Sequence, residues 1–282
     1  MTAHIAYLLL SRKSPLLPFH TNLRLLSTHY KRLVCHFPTE PKHGRQNRAF
    51  YIQFWKEILS KGRWQGEIWN RRKCGEVFPE WLSVSTVTDN QGRITHYVGL
   101  FSDITSRKMA EDRLKHQAHH DPLTGLPNRL LFEDRLHQAI ASAQRYGSEI
   151  ALLYIDLDKF KPVNDTYGHE AGDMALRTVS KRLTSLLRAS DTAARIGGDE
   201  FVALLPELHD TESVKHVARK ILQSLAEPVD LGVAQAKMGA SIGISFFPRH
   251  GENYESLMSA ADTAMYAVKQ SGRNDYCIAS DP

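Results

Sequence analysis

The 282-residue sequence predicts an α+β architecture, on three observations. Residues 64–105 carry three β-rich runs split by turn residues, the pattern of an antiparallel meander. Residues 150–156 are an unbroken apolar run ending in acid, as a central buried strand is. Around that run lie segments with apolar residues every three or four positions, the helical period.

The elements follow in order. Residues 1–43 hold six Lys and Arg, one acid (Glu40) and five histidines, with no sustained period of 2 or 3.6. Pro15, Pro18, Pro38 and Pro41 interrupt any long element there, so the segment is left irregular and unassigned. Residues 50–59 read as a short helix, with Phe50, Phe54 and Ile58 on one face. Strands follow at 64–71, 77–88 and 93–105, with turns at 73–76 and 89–92. Residues 106–119 are charged and helix-favouring, a connecting helix. From Asp121 helices and strands interleave: a helix at 128–146, the apolar strand, and a helix at 175–188 with Leu176, Val179, Leu183 and Leu186 on one face. Strands at 194–196 and 201–205 form a hairpin around Gly197-Gly198. A helix at 212–225, an alternating half-buried strand at 240–246, a helix at 254–271 and an edge strand at 276–279 complete the chain.

Charge is split between the halves. Residues 1–120 hold 19 Lys and Arg against 9 Asp and Glu, a net +10; residues 121–282 hold 17 against 22, a net −5. No run of five basic residues exists, so the basic excess reads as solvated surface and no nucleic-acid partner is expected. The longest early apolar run, residues 5–10, is far short of the ~20 residues of a membrane span, and no leader peptide is read. Cys35, Cys74 and Cys277 are odd in number and widely spaced, which argues against a disulfide framework and for a cytoplasmic chain.

The strongest chemical feature is Arg195-Ile196-Gly197-Gly198-Asp199-Glu200-Phe201. Its glycines permit positive φ in a tight turn and let a ligand approach the backbone. Asp156 and Asp158 end the strand at 150–156. If that strand neighbours the hairpin, Asp156 and Asp199 converge, and converged carboxylates call for a cation such as Mg²⁺. A solvated hairpin with surface acids fits the spacing equally well. Asp158 is read as a cap or surface acid pointing away from Asp156, and Asp121 as a cap or interdomain contact.

Gly197-Gly198-Asp199-Glu200-Phe201 resembles the signature of the GGDEF family of diguanylate cyclases. Further motifs resemble that family in its order: Asp121 to Arg129, Asp156 to Lys161, Asn164 to Asp173, and Ala264 to Lys269 followed by Gly272-Arg273-Asn274. The resemblance implies a nucleotidyl-cyclase-like domain, a mainly antiparallel central sheet flanked by helices, over residues 121–282. It implies condensation of two GTP to cyclic di-GMP and two pyrophosphates at a homodimer interface. Asp156, Asp199 and the Leu157 carbonyl would hold Mg²⁺ or Mn²⁺. Glu200 would be a further ligand or the base for the 3′-hydroxyl; both roles stay open. Asn164 and Asp173 would read guanine, Lys161, Lys269 and Arg273 would contact phosphates, and Gly197 and Gly198 would lie against the nucleotide. A catalytically silent GGDEF module binding GTP or cyclic di-GMP is the alternative.

Arg188-Ala189-Ser190-Asp191, with five residues between it and Gly197, resembles the family's inhibitory product site, to which Arg219 could add. Trp64 to Lys73 and Asp103-Ile104-Thr105 resemble the end of a PAS sensor domain. Residues 44–107 are accordingly read as the C-terminal part of such a domain, truncated at its start, and 108–120 as a signalling helix. No flavin or haem is expected on a half-sheet.

Overall fold

The early segment holds two strands. The structure is a computed structural model and describes residues 6–11, 23–25, 46–72, 74–208, 210–232 and 234–281. The chain divides into two compact units, Met1–Arg113 and Leu114–Pro282.

The first unit comprises β1 (Ala6–Ser11), β2 (Leu23–Leu25), α1 (Arg48–Lys61), β3 (Arg63–Arg71), β4 (Val77–Thr88) and β5 (Ile94–Asp103). Its sheet runs β2-β1-β5-β4-β3, antiparallel at every pairing. The β3-β4-β5 meander is as predicted. The expected upstream antiparallel sheet is present; the early segment, read as irregular, adds two strands to it, because β1 pairs with both β2 and β5. Alternation marks a strand with one wet face, and the run Ala-Tyr-Leu-Leu-Leu-Ser carries no alternation to read. Cys35 and the four early prolines lie outside the described residues.

Helix α1 starts where the Asn47 side chain accepts from the Phe50 N–H and stops at Gly62 in the left-handed region (φ 72°). Its Phe54 and Ile58 are buried against Ile68, Leu82, Val84 and Phe101, with Phe50 packed at the margin.

One acid is sealed into this unit. Glu80 is 2% exposed; one carboxylate oxygen accepts from Asn70 Nδ2 at 3.2 Å and the other, Oε2, has no partner. Burial pushes its pKa up to about 7, with the Asn70 bond opposing and the Asp103 charge adding. The folded unit therefore keeps a proton that the unfolded chain releases above pH 4.5. Stability falls as pH rises from about 4.5 to about 7 and is level above that, a change of about 3 kcal/mol. Glu80→Gln is expected to flatten this slope. All four tryptophans (Trp55, Trp64, Trp69, Trp81) lie in this unit, so urea titrations followed by their fluorescence at pH 5 and pH 8 read it directly. The same pH dependence in the variant would assign the slope elsewhere.

Helix α2 (Thr105–His119) has no buried residue and spans the boundary between the units.

The second unit runs α3 (Arg129–Tyr146), β6 (Glu149–Asp158), α4 (Phe160–Tyr167), α5 (His169–Leu186), β7 (Thr192–Gly197), β8 (Glu200–Leu208), α6 (Thr211–Ala226), β9 (Val229–Asp230), β10 (Gln235–Ala236), β11 (Gly239–Phe247), α7 (Tyr254–Gln270) and β12 (Tyr276–Ile278). The central sheet is ordered β12-β11-β6-β8-β7, antiparallel except for β11–β12. Strand β6 is buried on both faces, hence its unbroken apolar run. Leu153 and Ile155 share a core with Leu176 and Val179 of α5 and Ile221 of α6. Leu152 and Tyr154 face Phe132 and Leu136 of α3 and Leu257 and Met265 of α7.

Two elements depart from expectation. Residues 160–167, to which the sequence assigns no element, form α4; Pro162 stands in the first turn, where its missing N–H costs nothing. Strand β11 is not half-buried: Ser241 and Ser245, taken for a solvent face, are fully buried. Its small residues admit α7 instead. A Cβ on Gly243 would stand 1.9 Å from the Ala261 carbonyl oxygen and 2.4 Å from the Met265 nitrogen.

Candidate active site at the end of the central strand

The site begins where β6 runs out of apolar residues. Asp156 stands opposite Glu200 on β8 and opposite Ser241 on β11. The next peptide ties the strand to the hairpin, the Leu157 N–H donating to the Asp199 carbonyl at 3.2 Å. The expected convergence of Asp156 with the Asp199-Glu200 pair is therefore present. Asp156 is 7% exposed, and burial pushes its carboxyl up. The ammonium of Lys269 on α7, 2.7 Å from Oδ2, pulls it down, and the charges of Asp199 and Glu200 push it up again. The net direction is upward.

Glu200 is held from two sides. It lies beside the phenol of buried Tyr154, whose pKa is driven up by burial and then by the Glu200 charge. A Cβ on Gly197 would lie 3.2 Å from Glu200 Oε2, so Gly197 leaves the carboxylate its room. The glycines do not act through left-handed backbone: neither Gly197 nor Gly198 has positive φ. Gly198 has open space where a side chain would be.

Sequence reasoning missed the brace behind this turn. Arg195 donates to the Gly198 carbonyl from Nε (3.0 Å) and Nη2 (2.7 Å), and from Nη1 to both oxygens of Asp121 (3.0 and 3.2 Å). Asp121 also accepts from the Thr124 N–H and hydroxyl. Burial pushes Asp121 up, but the Thr124 bonds and the guanidinium outweigh it and hold the carboxyl below its usual value. Asp121 is thus a cap and an intradomain ion pair. Its partner is 74 positions away, so only an acid and an arginine in the flanking motifs hint at it. Beside the brace lies an open groove of about 570 Å³, lined by His120, Asn128, Arg129, Glu133 and the Gly197–Gly198 turn.

Asn164 on α4 and Asp173 on α5 stand on either side of the junction of those helices, where Gly168 (φ 84°) turns the chain. The Asn164 amide lies over Gly172, whose absent Cβ would stand 1.8 Å from Asn164 Oδ1. Lys161 is exposed on α4, and Arg273 follows α7. Asp158 is no surface acid. It is 5% exposed, and continuous pairing with β11 puts it on the face of Asp156, since residues two apart on a strand share a face.

Arg188 and Asp191 form their own turn. The Arg188 N–H donates to Asp191 Oδ2 (2.8 Å) and the Asp191 N–H to the Arg188 carbonyl (3.0 Å). The Arg188 side chain is exposed; Arg219 on α6 donates to the Tyr276 hydroxyl (3.3 Å). Among the described residues no three His, Cys, Asp or Glu side chains are set together to hold a metal, and no helix is long and apolar enough to cross a membrane. His116 and His120 stack on each other at 4.0 Å.

Residues 118–275 match the family described as diguanylate cyclase, GGDEF domain. The chain belongs to the GGDEF family. It is 44% identical over 174 residues, 62% of this chain and 25% of the relative, to the bifunctional diguanylate cyclase/cyclic di-GMP phosphodiesterase MucR of Pseudomonas aeruginosa. The solved GGDEF domain of TpbB from the same species superposes with a TM-score of 0.56 at 39% identity, covering 57% of this chain and 95% of that one. The coiled coil and GGDEF domain of DgcB from Caulobacter crescentus, solved with c-di-GMP, gives a TM-score of 0.56 at 30% identity over 62% of this chain and 93% of that one. The chain spans 25 to 40% of the length of the curated relatives MucR and TpbB.

Proposed function

We propose that the chain is a diguanylate cyclase that joins two GTP into cyclic di-GMP across a homodimer of GGDEF units. The carrying observation is Asp156 at the end of β6, opposite Glu200 across the sheet and next to the Leu157 N–H that bonds the Asp199 carbonyl, with Lys269 2.7 Å from its carboxylate. Each 3′-hydroxyl oxygen bonds to the α-phosphorus of the other nucleotide, that phosphorus releases pyrophosphate, and the hydroxyl proton passes to a base. The position of Glu200 opposite Asp156 across the sheet supports the base role, and its carboxylate equally suits a ligand role. One site holds one GTP, so two must face each other.

The donor set fits Mg²⁺ or Mn²⁺. It offers only oxygens (Asp156, Asp199, the Leu157 carbonyl and Glu200), and the Lys269 ammonium marks the place where positive charge is stable. A bound divalent ion would supply charge neutralisation for the phosphates. Asp173 accepts from guanine's amino and imino hydrogens, Asn164 adds the amide, and Lys161, Lys269 and Arg273 take the β- and γ-phosphates. Open Gly198 lets the nucleotide meet the backbone.

The same reading gives Arg188 and Asp191 to product inhibition, with Arg219 contributing from a neighbouring unit. The carboxylate of Asp191 is already oriented by the Arg188 N–H, leaving the guanidinium to stack on guanine. Arg188→Ala is expected to raise the cyclic di-GMP concentration that halves the rate by about tenfold, the loss of one charged contact. An unchanged inhibition curve would remove this site. The first unit is proposed as a PAS-like input domain without flavin or haem; a stoichiometric visible absorption band on purified protein would contradict that.

A further inference from the structure

We infer that Asp158 is a positioning residue for Arg273, an inference that rests on the reading of Arg273 as a phosphate contact. Three consecutive residues after α7 have positive φ: Gly272 (124°), Arg273 (66°) and Asn274 (49°). Glycine takes such values freely, whereas an arginine there is strained and must be held by its surroundings. The surroundings are a hub built on Asp158. Its Oδ2 accepts from the Asn274 N–H at 3.0 Å and its Oδ1 from the Ser241 hydroxyl at 2.8 Å. Ser241 is fully buried and Asp158 is 5% exposed, so neither oxygen has water as an alternative. Gly239 leaves the space: a Cβ there would stand 2.8 Å from Asn274 Oδ1 and 3.2 Å from Asp158 Oδ2.

The Asp158 charge then faces the arginine itself. Arg273 Nε lies 3.9 Å from Oδ1, and the Arg273 side chain stays 55% exposed, so the guanidinium is directed without being consumed. On either side the turn is closed by the Arg273 N–H on the Val268 carbonyl and by the Ile242 N–H on the Asp275 carbonyl, each at 3.0 Å. Asp156 and Asp158, two apart on one strand face, thus have different duties: the first gathers charge at the site, and the second fixes the residue that reaches the phosphates.

The test measures GTP-site dissociation constants by calorimetry on the full chain with Mg²⁺ in excess, using 3′-deoxy-GTP, which lacks the attacking hydroxyl and is not turned over, for Asp158→Ala, Arg273→Ala and the double variant. Amide exchange at Asn274 is followed in parallel. Asp158→Ala is expected to weaken GTP about tenfold alone and to cost nothing further once Arg273 is gone. The Asn274 amide should exchange faster in it. Asp158→Asn keeps an acceptor for Asn274, and the Ser241 hydroxyl can rotate to accept from the amide, so this variant should retain most of the binding and the slow exchange. Losses that add in the double variant, or unchanged exchange at Asn274, would overturn the inference. Wild-type protein that binds no GTP would remove the cyclase reading, while faster Asn274 exchange in Asp158→Ala would still support the hold of Asp158 on the turn.

Discussion

Glu200→Gln is expected to lower cyclic di-GMP formation by about 10²-fold or more, the usual worth of a general base, while the fold and GTP binding survive. The substitution is nearly isosteric. The Tyr154 phenol beside it can donate to the glutamine oxygen, and Gly197 leaves the same room. What disappears is one negative charge opposite Asp156. Since Glu200 is one of the groups that push Asp156 up, the Asp156 carboxyl should titrate at lower pH in the variant, readable from its carbonyl carbon shift. Product formed at the wild-type rate would take Glu200 out of the chemistry, whether as base or as ligand.

Gly243→Ala is the second large effect, and it acts through packing. The added methyl would meet two backbone atoms of α7, the Ala261 oxygen and the Met265 nitrogen, and backbone in the middle of a helix cannot swing aside. The helix must lift from β11, opening the contacts of Ala261 and Met265 with the core. A loss of ~3 kcal/mol is expected, seen as a melting temperature lower by roughly 6–12 °C in the second unit. Lys269 rides on the same helix, so its 2.7 Å contact with Asp156 should be lost and GTP binding should weaken with it. Melting within a degree of wild type would show that α7 has slack at this point.

These two positions show what the sequence does and does not disclose. The acid cluster was legible, because an apolar strand ending in Asp156 and a hairpin carrying Asp199 and Glu200 need only be neighbours in a sheet, as β6 and β8 are. The meander and the long amphipathic helices were legible from period alone. Strand β11 was not, since alternating Ser and Gly signals a wet face when in fact it signals a helix packed close. The Gly197-Gly198 pair was credited with positive φ, but neither glycine has it; Gly197 leaves room for Glu200, and Gly198 faces open space. Asp158 and Arg195 could not be placed because their partners lie 116 and 74 positions away. Strand β1 and helix α4 were missed for want of local pattern: one is apolar without alternation, and the other is short and rich in Pro, Asn and Asp.

The central claim is that the acid cluster at the end of β6 makes cyclic di-GMP. Incubating the purified full chain with GTP and Mg²⁺ and separating the nucleotides by chromatography tests it most directly. The account predicts cyclic di-GMP with two pyrophosphates for each molecule formed, and none with Glu200→Gln. Folded, dimeric wild-type protein that binds GTP and yields no cyclic di-GMP would contradict it and leave a nucleotide-binding module in its place.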